Sequence, residues 1–63
     1  MAEKKTLQQL RQERNETVQE VARACGISVS AVRAYEIQAR IPRDPIRILM
    51  SKHFGVDLGD IIF

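Results

Sequence analysis

Sixty-three residues form one domain at most, near the lower limit for folding without disulfides, a metal or a partner. Hydrophobic residues at 44% beside charged residues at 29% describe a soluble globular chain and exclude the disordered class, and no apolar run approaches the ~18 residues of a membrane span. The net charge of +2 does not by itself indicate a nucleic-acid partner, and a single cysteine excludes an internal disulfide or a multi-cysteine metal site.

The polar start MAEKKTLQQL has no secretory h-region, so the expected location is cytoplasmic, and residues 1–5 are expected to be flexible. The first helix is predicted from near Thr6 to about Arg14, with Leu7 and Leu10 at helical spacing among good helix formers. Asn15 reads as a left-handed stop. Thr17-Val18-Gln19-Glu20 is a capping box, and Val18, Val21, Ala22 and Cys25 continue it as one apolar stripe at i, i+3, i+4 and i+7. Cys25 is read as core.

Gly26 ends this second helix, because a left-handed backbone is cheap for glycine, and Ser28 caps a third. In the third helix Val32 and Tyr35 face inward, with Ile27 anchoring the turn before it, so much of the helix stays exposed. IQARIPRDP reads as a loop, and Asp44-Pro45 as the cap and first turn of a fourth helix. That helix places Ile46, Leu49, Met50, His53 and Phe54 on one face, at 0, 3, 4, 7 and 8, and Gly55 closes it. His53 has no second ligand at metal spacing and is expected to be half-buried or solvated. Asp57 is expected to cap a last short helix, LGDIIF, whose Ile61, Ile62 and Phe63 exceed the needs of a small core. No strand alternation, repeat or low-complexity tract is evident.

A steep helix corner has residue requirements: a small side chain where the helices cross, glycine at the turn and apolar groups inside. Ala22 meets the first and Gly26 the second. Val21, Cys25, Ile27, Val32 and Tyr35 meet the third. The basic charge sits in the loop and helix of the second half: residues 33–52 hold Arg33, Arg40, Arg43, Arg47 and Lys52 against Glu36 and Asp44, while the tail holds Asp57 and Asp60. One histidine, one cysteine and no glycine-rich phosphate loop argue against an enzyme, and no cofactor or small-molecule ligand is expected.

LQQLRQERNETVQEVARACGISVSAVRAYE, followed by RIP and HFGVDLGDIIF, resembles the Cro and lambda-repressor type helix-turn-helix domain, the XRE family, over residues 6–63. The resemblance implies an all-α domain of five helices in which helix three reads DNA. It also implies a salt bridge between Arg11 and Glu36 that fixes helix three against helix one. Val18 stands where the family often has a phosphate-binding glutamine, and Glu16 where an apolar residue is usual. Ile37, Gln38 and Ala39 replace a glycine and a basic residue, and Arg47 stands where leucine is usually buried, leaving that packing to Ile46 and Leu49. TVQEVARACGISVSAVRAYEIQARIP is similar as well to the start of mercury-resistance-regulator domains, a second DNA-binding likeness.

The resemblance places Ser28, Val29, Ser30 and Arg33 at base edges, with Arg33 bidentate to guanine or else on phosphate, and Val29 against a thymine methyl. Ser28 also serves as the helix cap. Phosphates fall to Thr17, Gln19, Arg23, Arg40 and Arg43. The expected function is a repressor, of bacterial or phage origin, acting as a homodimer on a two-fold symmetric operator, with Ile61, Ile62 and Phe63 as a candidate interface. The alternative is a protein-interaction module or antirepressor-like regulator on the same fold.

Overall fold

The computed structural model describes residues 4–63. In chain order it has strand β1 (Lys5–Thr6), helices α1 (Leu7–Glu13), α2 (Val18–Cys25), α3 (Val29–Glu36) and α4 (Asp44–Phe54), a 3-10 turn over Leu58–Asp60, and strand β2 (Ile61–Ile62). The expected flexible start falls partly on residues 1–3, which lie outside the described residues.

Each helix begins and ends for a local reason. Thr6 caps α1 through a capping box: its hydroxyl accepts the Gln9 N–H at 3.2 Å while the Gln9 side-chain oxygen accepts the Thr6 N–H at 2.9 Å. Asn15, at φ 55°, takes the left-handed turn after it. Thr17 and Glu20 repeat the reciprocal arrangement at α2, at 3.2 and 3.0 Å. Gly26 closes α2 at φ 67°, and the Ile27 N–H then donates to the Ala22 carbonyl at 3.0 Å. The Ser28 hydroxyl caps α3 by accepting the Ala31 N–H at 3.1 Å.

The fourth helix differs from expectation at both its start and its inner face. Arg43, not Asp44, is the N-cap, and it makes no side-chain capping bond; Asp44 is the first helical residue and Pro45 follows it in the first turn. The Asp44 carboxylate turns instead to Arg47 at 3.5 Å. Met50 and Phe54 are buried, with Ile46 and His53 half-buried, but Leu49 is exposed. On a helix of ~3.6 residues per turn, Leu49 points roughly 100° away from the line through Ile46, Met50 and Phe54. Arg47 is half-buried, with its guanidinium carbon 5.7 Å from the Phe63 ring centroid.

The expected fifth helix is reduced to a three-residue 3-10 helix, Leu58–Asp60, with Asp57 at its N-cap position but making no side-chain capping bond. After the single 3-10 turn, in which the Asp60 N–H donates to the Asp57 carbonyl at 2.9 Å, Ile61 is extended at φ −101°, ψ 128°. β2 pairs in parallel with β1, Lys5 opposite Ile61 and Thr6 opposite Ile62. Consecutive β-branched residues favour that extended backbone, and a two-residue strand is too short to show alternation. The pairing also holds Lys5, which the sequence reading left among the flexible residues, and the Lys5 ammonium reaches Glu13 at 2.7 Å.

Leu7 and Leu10 of α1, Val21, Ala22 and Cys25 of α2, Val32 and Tyr35 of α3, Met50 and Phe54 of α4, and Ile61 of β2 form one core cluster. Every helix and the final strand contribute to it, as a chain of this length requires. Ala22 is the small residue beneath the α2–α3 corner.

Candidate nucleic-acid interface

α3 is held to the core along one side only. Val32 and Tyr35 are buried, Val29 and Ala31 are half-buried against the core, and Ser28, Ser30 and Arg33 are exposed. The structure therefore separates the four expected base-reading residues: three present side chains outward, while Val29 shares its surface between the core and solvent. The Ser28 hydroxyl is engaged as a cap, and its oxygen keeps a second lone pair.

The orientation of α3 is fixed at its far end. Arg11 of α1 grips the Glu36 carboxylate with two donors, Nε at 2.6 Å and a terminal nitrogen at 3.1 Å. Its other terminal nitrogen donates to the Glu16 carbonyl at 2.9 Å. One guanidinium thus joins the end of α1, the entry to α2 and the last residue of α3. The hydrogen bond to Glu36 raises the Arg11 pKa above its usual value, against the opposing effect of burial.

Glu16 extends this network. One carboxylate oxygen accepts from Arg14 Nε at 2.8 Å and the other lies 2.7 Å from His53 Nε2 on α4. The carboxylate that stands where the family resemblance leads one to expect an apolar residue thus reaches a histidine on α4. Sequence reasoning missed this link, and its one signal was the unusual acid before Thr17.

The expected phosphate contacts fall into two groups. Arg40 and Arg43 flank Pro42, which is buried and pins the loop between them. The Ala39 and Arg40 amides donate back to the Ala34 carbonyl at 2.9 and 3.3 Å, so the start of this loop is folded onto α3. Gln38, at φ 61°, supplies the left-handed residue that makes the fold-back possible. At α2, Gln19 and Arg23 are exposed, but the Thr17 hydroxyl already bonds the Glu20 carboxylate at 3.1 Å. An acid beside Thr17 and Gln19 weakens that end as an anion site.

The salt bridges sort the cations. Lys5, Arg11, Arg14 and Arg47 are paired with carboxylates. Among the described residues no such bridge involves Lys4, Arg23, Arg33, Arg40, Arg43 or Lys52, all exposed. Three of these six lie between residues 33 and 43, on α3 and the loop folded against it. No group of three or more histidine, cysteine, aspartate or glutamate side chains is placed to hold a metal among the described residues. No helix among them is long and apolar enough to cross a membrane.

A family model described as helix-turn-helix matches residues 7–61. No curated protein and no solved structure gave a match. The matched segment begins in α1, ahead of the α2–α3 corner, and runs into β2, so it takes in both flanks of the corner along with the corner itself.

Proposed function

Because the chain belongs to the XRE family of helix-turn-helix DNA-binding regulators, we propose that it is a cytoplasmic transcriptional repressor that inserts α3 into the major groove of double-stranded DNA. The observation that carries this reading is the segregation of charge: the arginines that orient the helices are bonded to carboxylates, while Arg33, Arg40 and Arg43 are exposed and unbridged around α3. Unpaired guanidinium groups beside a helix held outward match the polarity of a duplex groove and its phosphates.

In this reading Ser28, Ser30 and Arg33 meet base edges, and Val29 offers the exposed part of its side chain to a thymine methyl. Arg40 and Arg43 hold phosphates after α3, while Gln19 and Arg23 contribute more than Thr17 at α2. A domain that reads few base pairs gains specificity by pairing two copies on a two-fold operator, with half-sites about one helical turn apart.

Selection from random duplexes, followed by titration of the selected site, tests the proposal. Arg33→Ala is expected to weaken the selected site by about 1 to 3 kcal/mol and relax one position. Arg40→Ala is expected to weaken all sequences alike and to lower the salt slope by about one. Absence of binding to any duplex at roughly 50 mM salt would refute DNA binding and leave the protein-interaction module as the function of the fold.

A further inference from the structure

Among the described residues, Asn15 and Gln38 are the non-glycine residues with positive φ, at 55° and 61°. Asparagine enters the left-handed region readily, whereas glutamine has no such preference and bears a cost that glycine would avoid. The turn at residue 38 needs only the backbone. The Gln38 N–H donates to the Tyr35 carbonyl at 3.2 Å, and the Ala39 and Arg40 amides return to the Ala34 carbonyl at 2.9 and 3.3 Å. Glycine would make the same bonds with less strain. The fold does not use the side chain either: Gln38 is exposed, and among the described residues its side-chain amide forms no hydrogen bond. Strain held at a position whose polar side chain serves nothing inside the domain is the pattern of a contact site.

The surroundings of Gln38 indicate what its amide contacts. The returning hydrogen bonds hold Gln38 and Arg40 against the last turn of α3, which also carries Arg33. Arg33, Arg40 and Arg43 are exposed and form no salt bridge among the described residues, while Glu36, the acid between them in the chain, is occupied by two donors of Arg11. The local field therefore favours an anion. Distance along the helix selects which part of a duplex meets it. The Ile37 N–H still donates to the Arg33 carbonyl at 3.0 Å, so the helical path runs on to the residue before Gln38. At ~1.5 Å per residue, Gln38 lies roughly 15 Å along the axis from Ser28. A major groove is only ~8.5 Å deep, so a helix seated by its amino end leaves the groove before Gln38, at the level of the phosphates.

We propose that Gln38 is a further DNA-contacting residue, whose side-chain amide donates a hydrogen bond to a phosphate oxygen at the edge of the groove. The inference rests on the reading of α3 as the helix that enters the major groove. Glutamine side chains serve as phosphate donors at such edges, where they fix register without carrying sequence information. The strain at residue 38 is then kept for a bond made only on DNA, so removing the side chain moves stability and affinity in opposite directions.

Titration of the full chain with its selected duplex and with unrelated duplexes, over a range of salt concentrations, tests this. Gln38→Ala and Gln38→Gly are each expected to weaken binding to every duplex by about three- to tenfold. The salt slope should stay as in the wild type, because an uncharged amide displaces no counterion. Gln38→Gly should at the same time melt above the wild type. Gln38→Glu, of nearly the same shape but charged, should weaken binding by about tenfold or more, since like charges then meet. Arg40→Ala, which is expected to weaken every duplex and lower the salt slope, is the reference. If it does so while the Gln38 variants bind as the wild type does, the Gln38 contact is refuted and DNA binding stands; a wild type that binds no duplex refutes both. A loss confined to one base-pair position would assign the amide to a base and overturn the phosphate contact. Gln38→Glu binding as tightly as the wild type overturns it as well, and so does Gln38→Gly melting below the wild type, because the fold would then be using the side chain.

Discussion

Arg11 and Cys25 show how a side chain's surroundings set its energetic role. Arg11 and Glu36 have side chains only 16% and 8% exposed, so removing either leaves a partly desolvated charge without its partner. Breaking a fully buried pair from one side costs about 3 to 5 kcal/mol. At this partial burial, Arg11→Met is expected to lower stability by about 2 kcal/mol, read as the midpoint of urea unfolding. Burial pushes the Cys25 thiol pKa above its usual 9.0, with Glu16 adding to the shift. A raised pKa means that the folded chain keeps its proton where the unfolded chain releases it. The stabilisation is then complete below the usual thiol value and is lost as the pH rises through the folded one. Between about pH 8 and about pH 10, wild-type stability should therefore fall more steeply than that of Cys25→Ala. The pairing of Arg11 with Glu36 was legible through the family pattern. The Glu16–His53 pair was not, because the two residues are 37 apart and nothing in the chain between them sets their approach.

At the scale of elements, the boundaries are written in local chemistry. Gly26 and Gln38 occupy the same left-handed region, at φ 67° and 61°, with opposite consequences. A Cβ at Gly26 would touch nothing within 4 Å, so Gly26→Ala acts through the backbone alone and should cost about 1 kcal/mol. Gln38 already bears that strain where the family often places glycine, and Gln38→Gly is expected to stabilise by about 0.5 to 1 kcal/mol. Thermal denaturation of the pair of variants should move the midpoint in opposite directions. The caps at Thr17 and Ser28 and the stop at Gly26 could be read from neighbouring residues because their hydrogen bonds span only three or four positions. The start of α4 could not. Asp44 has the chemistry of a cap, but the helix includes it, with Arg43 serving as an unbonded cap one residue earlier.

The molecule is closed by its two ends. β1 and β2 bring Lys5 and Thr6 beside Ile61 and Ile62, and Ile61 enters the core at 6% exposure while Ile62 remains 39% exposed. Ile61→Ala should remove about 2 to 4 kcal/mol from a domain of this size, lowering the melting temperature by roughly 10 °C or more. Ile62→Ala should shift it by only a few degrees, and equal shifts would show that the register is wrong. The four α-helices, the corner at Gly26 and the exposed character of α3 were legible in the residues alone, because each depends on spacing and capping within one or two turns of chain. That LGDIIF ends as a strand, that Leu49 faces out while Arg47 lies over Phe63, and that Glu16 bonds His53 came from the assembled fold. Those outcomes depend on what lies across the core from a residue, and a side chain's distant neighbours are set by the closure of the whole chain rather than by its own segment.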